Sequence, residues 1–385
     1  MPHPLQFAVN ARPLRKPVTG ISRYLRGLMR EVEQSGRFAP HYFYSTHWGE
    51  GLEQAPGRLL GPGLMRLGGL LRAVEPLLRS VERRNFAAGL RRGNFAFYFE
   101  PTYLPFRTTL PTVITVHDLS HLRHPETHPA ARVRQFERKL PAAIERAAGI
   151  LTPSAFTRHE VIEVFGVPPE RVVATPLGVD AAFFPRSRDE TAAVLGPLAL
   201  THGRYFLAVG TLEPRKNLTT TLDAHARLPQ RVRAGYPLVV AGMSGWLNDA
   251  ISRRLEAARA RGDVMLLGHV GDEQLPLLYA GAAMLAYPSL YEGFGLPPLE
   301  AMASGVPVAV SDRASLPEVV GDAGILVEPH DVERLTTAMF RIVEDQAFAD
   351  DLAARGIARA KTFTWARCAA LTMERWEQVT GVSAR

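Results

Sequence analysis

Ten short apolar runs divide the chain into two series of five, and a loop or a helical pattern follows each run. The runs are apolar at consecutive positions, which is typical of strands that are buried on both faces of a parallel sheet. The alternation of strands and helices therefore predicts two α/β halves, each with its own parallel sheet. The runs are Phe7–Val9, Phe95–Phe99, Thr112–Val116, Ile150–Thr152 and Val172–Thr175 in the first series, and Tyr205–Val209, Leu238–Ala241, Val264–Leu267, Ala283–Tyr287 and Val306–Val310 in the second.

The length of the chain fits two domains of ordinary size. It has 385 residues, of which 46% are hydrophobic, so each half can bury a substantial core. Residues from about Asp180 to Gly203 carry no clear strand pattern, and we predict that they form the linker. Ligands of parallel sheets bind beyond the carboxyl ends of the strands, so we expect the functional site in a cleft between the halves.

Several features of the sequence argue for a reducing compartment. The single cysteine, Cys368, excludes an internal disulfide and is expected to fill a small apolar space on the last helix. No Cys/His cluster has the spacing of a structural zinc site. The start of the chain lacks the pattern of a signal peptide, and no window has the roughly 18 to 20 uninterrupted apolar residues of a spanning helix. We expect a cytoplasmic protein that is soluble or peripheral on a membrane.

The segment Tyr291–Glu300 combines two carboxylates with a glycine-rich turn and a double proline. Gly293 and Gly295 let the backbone approach a ligand closely, and prolines at the first positions of a helix cost no hydrogen bond. The free N–H groups and the helix dipole there attract phosphate. Glu292 and Glu300 suit sugar hydroxyls, although paired glutamates on a helix are also common on solvated faces.

A second segment carries basic residues after a predicted strand. The run Tyr205–Val209 leads into Gly210, and the pair Arg215 and Lys216 follows within a few residues. A planar guanidinium and a compact ammonium can both offset phosphate charge. Asn217 is expected to cap the helix that follows.

The first half supplies two further candidates. Gly20 lies in the loop Val18–Tyr24 before a helix, where Ser22 is a candidate N-cap and the same N–H groups can bind phosphate. His117 follows the strand run Thr112–Val116 and is expected to face the cleft, with its neighbour Asp118 orienting it.

Taken together, these segments resemble the large retaining glycosyltransferase family 4, whose members have the GT-B fold. Tyr291–Glu300 is similar to the E-x7-E element of that family, and Gly210–Leu218 is similar to its K-N-L segment. Ala303–Ala309 and Gly321–Val327 also look like this family. The resemblance covers nearly the whole chain and is strongest over residues 203–345. It implies an acceptor-binding Rossmann-like domain over residues 1–185, a nucleotide-sugar-binding one over residues 200–362, and a C-terminal helix, residues 363–385, that packs back on the first domain.

The resemblance also implies roles for individual residues. Attack occurs on the front face of the donor sugar, the leaving diphosphate accepts the proton of the acceptor, and neither a metal nor a separate cofactor is required. His117 contacts the donor sugar, Glu292 holds its hydroxyls, and Arg215 with Lys216 neutralises the diphosphate. Glu300 accepts the ribose hydroxyls. The remaining donor-binding candidates are Gly20, Gly210, Gly268, His269, Val270, Gly293, Phe294, Gly295 and Leu296, of which Gly268–Val270 is expected to lie near the base.

Two stretches suggest the substrate. His117–Pro129 and Gly242–Trp246 look like those of bacterial transferases that move mannose or rhamnose from GDP-sugars into O-antigen. A UDP-sugar donor remains open. So do two different classes: an isomerase of the same fold, similar to UDP-N-acetylglucosamine 2-epimerase, and a non-catalytic protein that binds nucleotide sugars. The epimerase's paired acids and histidine are not recognisable in the sequence.

The charge is unevenly distributed. Residues 1–150 contain 22 Lys and Arg against 11 Asp and Glu, whereas the remainder contains 23 against 27. The densest part, Gly57–Asn94, interleaves arginines with leucines, and we interpret it as a peripheral contact with an anionic membrane that would carry a lipid-linked acceptor. An ordinary amphipathic helix with solvated arginines is the alternative. Nucleic acid is not expected as a partner, because no binding module accompanies the arginines.

Overall fold

The computed structural model describes residues 4–15, 19–53, 68–243, 245–246 and 249–382, and these form two parallel sheets. The first sheet contains β1 (Leu5–Asn10), β2 (Phe38–Phe43), β3 (Trp48–Gly49), β4 (Tyr98–Glu100), β5 (Thr112–Thr115), β6 (Gly149–Thr152) and β7 (Val172–Ala174). The second contains β8 (Phe206–Val209), β9 (Leu238–Ala241), β10 (Val264–Gly268), β11 (Met284–Tyr287), β12 (Val308–Ser311) and β13 (Ile325–Val327).

The strand orders are those of open, doubly wound sheets. The first is β3-β2-β1-β4-β5-β6-β7, with only β3 antiparallel to its neighbour, and the second is β10-β9-β8-β11-β12-β13, parallel throughout. Each of the ten predicted runs overlaps one strand, so the prediction of two parallel α/β halves is confirmed. The strands β2, β3 and β13 were not predicted. Pro40 and His41 interrupt the apolar pattern of β2, and the other two strands have two and three residues.

Helices cover both sheets. The first half and the linker contain α1 (Gly20–Ser35), α2 (Gly68–Arg92), α3 (Ser120–Arg123), α4 (Ala130–Arg146), α5 (Ala155–Phe165) and α6 (Arg188–Leu195). The second half contains α7 (Leu218–Arg227), α8 (Gln230–Gly235), α9 (Asp249–Ala260), α10 (Leu275–Ala280), α11 (Leu296–Ala303), α12 (Leu316–Val320), α13 (Val332–Glu344) and α14 (Gln346–Ala360), and α15 (Trp365–Thr380) follows. Within the described ranges, no helix is both long enough and apolar enough to cross a membrane.

The last helix returns to the first sheet, as predicted. The indole of Trp376 on α15 is fully buried, with ring centroids 4.8 Å from Phe7, 5.2 Å from Phe97 and 5.1 Å from Phe99. Cys368 on the same helix is also fully buried, which confirms its role as a small core residue. This packing joins the end of the chain to its beginning.

The linker and the basic segment each contain a helix. The predicted linker contains the helix α6, and its Leu195 belongs to the core, although no strand occurs there. The helix α2 continues through Pro76, although a proline inside a helix removes one backbone hydrogen bond. Residues 57–67 of the basic segment lie outside the described residues. The domain boundaries at 185, 200 and 362 stay predictions.

Candidate active site

Two neighbouring strands of the second sheet bring the basic pair close to the first carboxylate. β8 ends at Val209, and the turn Pro214–Lys216 follows it, whereas β11 ends at Tyr287 and leads to Glu292. Between the strand and the turn, Gly210 has a φ of 145°, which favours glycine. A Cβ atom at that position would lie 3.5 Å from Cε of Lys216, so the chain turns directly beneath the lysine.

Glu292 is the centre of a buried ion cluster. Its Oε1 accepts a hydrogen bond from Nζ of Lys216 at 2.7 Å. The same oxygen accepts from Oγ of Ser289 at 2.6 Å and from the hydroxyl of Tyr287 at 2.9 Å. Its Oε2 lies 3.0 Å from Nη1 of Arg215. The site therefore holds this carboxylate in one orientation before any ligand is bound.

The surroundings of Glu292 keep it ionised. Burial raises the pKa of this carboxyl group, but the charges of Arg215 and Lys216 outweigh burial and lower the pKa to about 2. A folded-state pKa below the ordinary value means that the ion pairs stabilise the fold fully above the ordinary carboxyl pKa. That contribution is lost as the pH falls towards 2.

Arg215 is more deeply enclosed than Lys216. Its Nη2 donates to Oε1 of Glu213 at 2.6 Å, and its Nη1 donates to the carbonyl oxygen of Tyr291. Its side chain is 11% exposed, against 18% for Lys216. From the first half of the chain, Asp118 adds a third negative charge that raises the pKa of the guanidinium. Arg215 is thus fixed, and the lysine is the cation nearer to the open cleft.

Asn217 does not cap α7, in contrast to the sequence prediction. It stands at the N-cap position in the left-handed region, with φ 52°, and its side chain makes no capping hydrogen bond. Its Nδ2 donates instead to the carbonyl oxygens of Pro288 at 3.0 Å and Pro329 at 2.6 Å. Asn217 therefore ties the turn after β8 to the loops after β11 and β13. At the start of α1 the N-cap is Thr19, and the predicted cap Ser22 completes a capping box with it.

The glycine turn lies directly against the first half of the chain. A Cβ atom on Gly293 would lie 1.7 Å from the carbonyl oxygen of His117. The carbonyl oxygen of Gly293 accepts hydrogen bonds from Oγ of Ser154 at 2.7 Å and from Oγ1 of Thr157 at 3.1 Å. The glycine is required here for the close approach of the His117 backbone, whereas the sequence predicted the close approach of a ligand. These contacts fix His117 next to the Glu292 turn.

His117 follows the carboxyl end of β5, and its ring packs edge-on against Tyr24 and Tyr103. Its Nε2 is 2.8 Å from the carbonyl oxygen of Pro101, which makes this nitrogen the N–H donor and leaves Nδ1 as an acceptor. Burial lowers its pKa, so the ring is neutral at pH 7. The predicted orienting role of Asp118 is wrong, since its Oδ1 accepts from the backbone N and Oγ of Ser120.

The second carboxylate of the E-x7-E segment also has a partner from the first half. Glu300, on α11, is 3% exposed, and its Oε1 accepts a hydrogen bond from Nη1 of Arg23 on α1. Near this contact, a Cβ atom on Gly20 would lie 3.7 Å from Cδ1 of Leu296. The predicted loop and the predicted helix start therefore lie next to each other.

Side chains and backbone have different roles in the rest of the turn. Phe294 is buried against Phe363, with 5.7 Å between ring centroids. A ligand could therefore contact the backbone of Phe294 but not its side chain. Gly295 has a φ of 128° and precedes α11. Oγ of Ser315 donates to the carbonyl oxygens of Glu292 at 2.8 Å and Phe294 at 2.6 Å, which fixes the shape of the turn.

The predicted base-binding segment lies at another strand end of the second sheet. Gly268 closes β10 with a φ of 69°, and its carbonyl oxygen accepts from the backbone N of Gly242 at 2.8 Å. His269 is exposed and Val270 is half-buried. Because β10 is two strands from β8 in the sheet, this segment lies at the same edge as the ion cluster but apart from it.

The two stretches that suggested the substrate contact each other. Nε1 of Trp246 donates to the carbonyl oxygen of Thr127 at 2.7 Å, and the guanidinium of Arg132 lies 5.7 Å from the indole ring. The two stretches lie about 120 residues apart in sequence, and the fold brings them into contact between the two halves. Across the described part of the chain, no group of three His, Cys, Asp or Glu side chains could hold a metal ion.

Comparisons with known proteins agree with this architecture. The sequence pattern described as "Glycosyltransferase Family 4" matches residues 18–183, and that described as "Glycosyl transferases group 1" matches residues 198–361. The chain is 38% identical over 389 residues to the O-antigen chain mannosyltransferase B of Escherichia coli, covering 95% of this chain and 97% of that protein. The chain belongs to glycosyltransferase family 4.

Other relatives of this family 4 glycosyltransferase extend the comparison. The serotype-specific mannosyltransferase WbdA of Escherichia coli is 32% identical over 272 residues, which is 68% of this chain and 33% of that protein. Among solved structures, sucrose-phosphate synthase from Thermosynechococcus elongatus superposes with a TM-score of 0.74 at 21% identity, over 99% of this chain and 100% of that chain. This likeness concerns the fold, and the predicted GT-B fold is confirmed.

The sequence reasoning missed several residues of this family 4 site. Glu213 lies two positions before Arg215, a spacing that could have indicated an ion pair. Ser289 and Tyr287 precede Glu292 by three and five positions, where a turn can direct them to its carboxylate. No local signal identified Arg23, since its partner Glu300 is 277 positions away. The roles of the site residues in catalysis and binding stay predictions.

Proposed function

We propose that this glycosyltransferase moves a mannosyl group from GDP-mannose to a saccharide acceptor, with retention of configuration, in the synthesis of bacterial O-antigen. The observation that carries the proposal is the 38% identity to a mannosyltransferase of that process over 97% of its length. A nucleotide-sugar donor and a saccharide acceptor are what family membership implies. The identity of the sugar as mannose, of the nucleotide as GDP and of the product as O-antigen goes beyond family membership and rests on the similarity to that relative.

The reaction exchanges one bond to the anomeric carbon for another. The acceptor hydroxyl forms a glycosidic bond to that carbon on the face from which the diphosphate leaves. The bond between the carbon and the diphosphate oxygen breaks, and the proton of the acceptor passes to the departing diphosphate. No protein nucleophile is needed. The protein therefore acts mainly by stabilising the charge that grows on the diphosphate.

The ion cluster supplies that stabilisation. Lys216 donates to Glu292 and to the Tyr287 hydroxyl, 2.7 Å away in both cases, and its side chain is more exposed than that of Arg215, so its ammonium can turn to the diphosphate. Arg215 keeps Glu292 in place meanwhile, through the 3.0 Å contact with Oε2. We assign the diphosphate to Lys216 and Arg215 and the hydroxyls of the donor sugar to Glu292.

His117 and the glycine turn complete the donor site. The acceptor nitrogen Nδ1 of His117 suits a hydroxyl group of the donor sugar, because the ring is neutral and the bond to Pro101 fixes its orientation. The backbone N–H groups of Gly293–Leu296, at the start of α11, suit phosphate oxygens. Glu300 is assigned to the ribose hydroxyls, and Gly268–Val270 to the base.

Transfer assays test the proposal directly. We expect the purified protein to form a new α-mannoside from GDP-mannose and a short mannose-containing acceptor, with the anomeric configuration read by NMR. GDP-mannose at 100 times its dissociation constant should stabilise the fold by about 2.7 kcal/mol. If only UDP-sugars stabilise the fold, the donor is a UDP-sugar and not GDP-mannose. Release of an epimerised sugar without an acceptor would indicate the isomerase, and binding without turnover would indicate a non-catalytic protein.

The proposal includes contact with an anionic membrane through the first half of the chain. On α2, Arg79 and Arg83 are exposed, and on α4 Arg138 is exposed. Partial burial and then the positive charges of Arg138, Arg79 and Arg83 lower the pKa of Lys139, so the four groups share one surface. We call these four residues the α2/α4 basic surface. Such a surface would hold the enzyme at the cytoplasmic face of the inner membrane, where a lipid-linked acceptor would be reached.

Vesicle binding tests this surface. Replacing Arg79, Arg83 and Arg138 by glutamine should abolish sedimentation with phosphatidylglycerol vesicles, since each charge near the surface contributes about 1 kcal/mol. About 1 M salt should release the parent protein, because the screening length falls to about 3 Å. Turnover on a water-soluble acceptor should not change.

A matched variant controls for net charge. Replacing Arg253, Arg254 and Arg259, which are exposed on α9 in the second half, removes the same number of charges and should leave vesicle binding intact. If the parent protein ignores anionic vesicles at low salt, the basic surface is solvated and the membrane part of the proposal is wrong.

A further inference from the structure

A cation from the first half of the chain reaches into the proposed nucleotide site. Arg23 lies in the first turns of α1, and its Nη1 donates to Oε1 of Glu300 on α11. Its Nη2 lies 3.3 Å from Oδ1 of Asp272, in the loop after β10. The guanidinium lies 5.8 Å from the ring of Phe183 in the linker. Arg23 thus contacts three separate segments outside its own helix.

This contact is enclosed, unlike an ordinary surface ion pair. The side chain of Glu300 is 4% exposed and that of Arg23 is 24% exposed. Exposed ion pairs contribute little, but removing one partner of a buried pair leaves an uncompensated charge. Loss of the contact between Arg23 and Glu300 is therefore expected to change ligand binding by Glu300 measurably.

The geometry leaves half of the carboxylate for another ligand. An ionised carboxylate has two oxygens and about four acceptor positions. Arg23 occupies Oε1 of Glu300, so Oε2 is the oxygen on which a further hydroxyl donor can bind. A guanidinium on one oxygen fixes the plane of the carboxylate and hence the direction in which the other oxygen accepts.

We propose that Arg23 is a positioning residue for the nucleotide, holding Oε1 of Glu300 so that Oε2 receives the ribose hydroxyls of the donor. The inference rests on the proposed function, in which Glu300 binds the ribose. It assigns a part of ribose recognition to the first half of the chain, whereas the family resemblance assigns the ribose hydroxyls to Glu300 alone. Binding of the ribose then requires that α1 and α11 remain in contact.

Protonation provides an independent readout. Burial raises the pKa of Glu300, and the charge and hydrogen bond of Arg23 oppose that effect. The other groups that face this carboxylate are Tyr279 on α10, whose hydroxyl lowers its pKa, and Asp180 in the linker, whose charge raises it. Without Arg23 the folded-state pKa is higher still. Glu300 then takes up a proton at a higher pH and loses the charged acceptor.

The experiment compares GDP with 2′,3′-dideoxy-GDP by calorimetry on the full chain between pH 6 and 8.5. The wild-type protein should bind GDP about tenfold more tightly, because a hydroxyl donates to a charged acceptor. Arg23→Gln should bring this ratio close to one at pH 6, with partial recovery as the pH rises. Arg23→Lys should retain most of the ratio. Glu300→Gln should abolish it at every pH.

Arg26→Gln is the matched control. Arg26 lies three positions further along α1 and donates to the backbone carbonyl of Glu53 at 3.4 Å, and its replacement should leave the ratio unchanged. A wild-type ratio in folded Arg23→Gln at all pH values overturns the proposal for Arg23 alone. A wild-type protein that does not distinguish the two nucleotides refutes the assignment of Glu300 in the proposed function. Should Arg23→Gln not fold, a wild-type ratio in Glu300→Gln overturns the proposal equally.

Discussion

Replacing Lys216 by alanine is expected to lower kcat about 100-fold, because one preorganised donor to a developing negative charge is worth ~3 kcal/mol. The lysine acts mainly on charge that grows as the bond to the diphosphate breaks, so kcat should fall more than the affinity for GDP-mannose. The fold should survive, since Glu292 keeps Arg215, Ser289 and Tyr287 as partners. Steady-state kinetics with GDP-mannose and a soluble acceptor measure the change.

Lys361→Ala provides the control for this prediction. Lys361 is exposed at the end of α14, so its removal changes the net charge by the same amount without touching the ion cluster. Its kcat and melting temperature should equal those of the parent protein. Wild-type turnover in Lys216→Ala would remove the lysine from the proposed mechanism, and an equal loss in both variants would point to net charge.

The architecture could be predicted because it depends on local patterns. Buried parallel strands require consecutive apolar residues, and each of the ten such runs overlaps a strand. The glycines and prolines around Glu292 indicated a turn followed by a helix, and the structure has both. Where the pattern was weak, the prediction failed. The strand β2 contains Pro40, and β3 and β13 are too short to produce a periodic signal.

The partners within the site could not be predicted, because they depend on distances that only the fold sets. Asn217 is of a residue type and at a position typical of a helix N-cap, yet its amide donates to the carbonyl oxygens of Pro288 and Pro329. Asp118 adjoins His117 in sequence, but its carboxylate turns to Ser120. For Asn217, the fold brings carbonyl partners from distant loops that outcompete the N–H groups of the following helix. For Asp118, the local partner Ser120, two positions along the chain, outcompetes its neighbour His117.

The need to neutralise buried cations explains why the site contains glutamates beside Arg215 and Lys216. Arg215 and Lys216 are needed for an anionic ligand, but buried cations without counterions are costly. Glu213 and Glu292 balance them within the protein. A diphosphate can then take over part of this role. The carboxylates therefore serve the folded state as well as the proposed recognition of the sugar.

Gly293→Ala is expected to reduce both stability and turnover. The added Cβ atom would lie 1.7 Å from the carbonyl oxygen of His117 and 2.9 Å from Cβ of Asp118, and the first contact is with backbone that cannot rotate away. The turn must move away from the first half, which weakens the hydrogen bonds of Ser154 and Thr157 to the Gly293 carbonyl. Overpacking of this kind costs about 1–3 kcal/mol of unfolding free energy.

Turnover in Gly293→Ala should fall about 100-fold, because a displacement of about 1 Å in a site costs that much. Denaturant unfolding gives the stability, and steady-state transfer from GDP-mannose gives the turnover. Gly235→Ala is the matched control, since no atom lies within 4 Å of its added Cβ, and it should be neutral or stabilising by about 0.4–1 kcal/mol. Parent-like stability and kcat in Gly293→Ala would contradict the close approach of the two halves at His117.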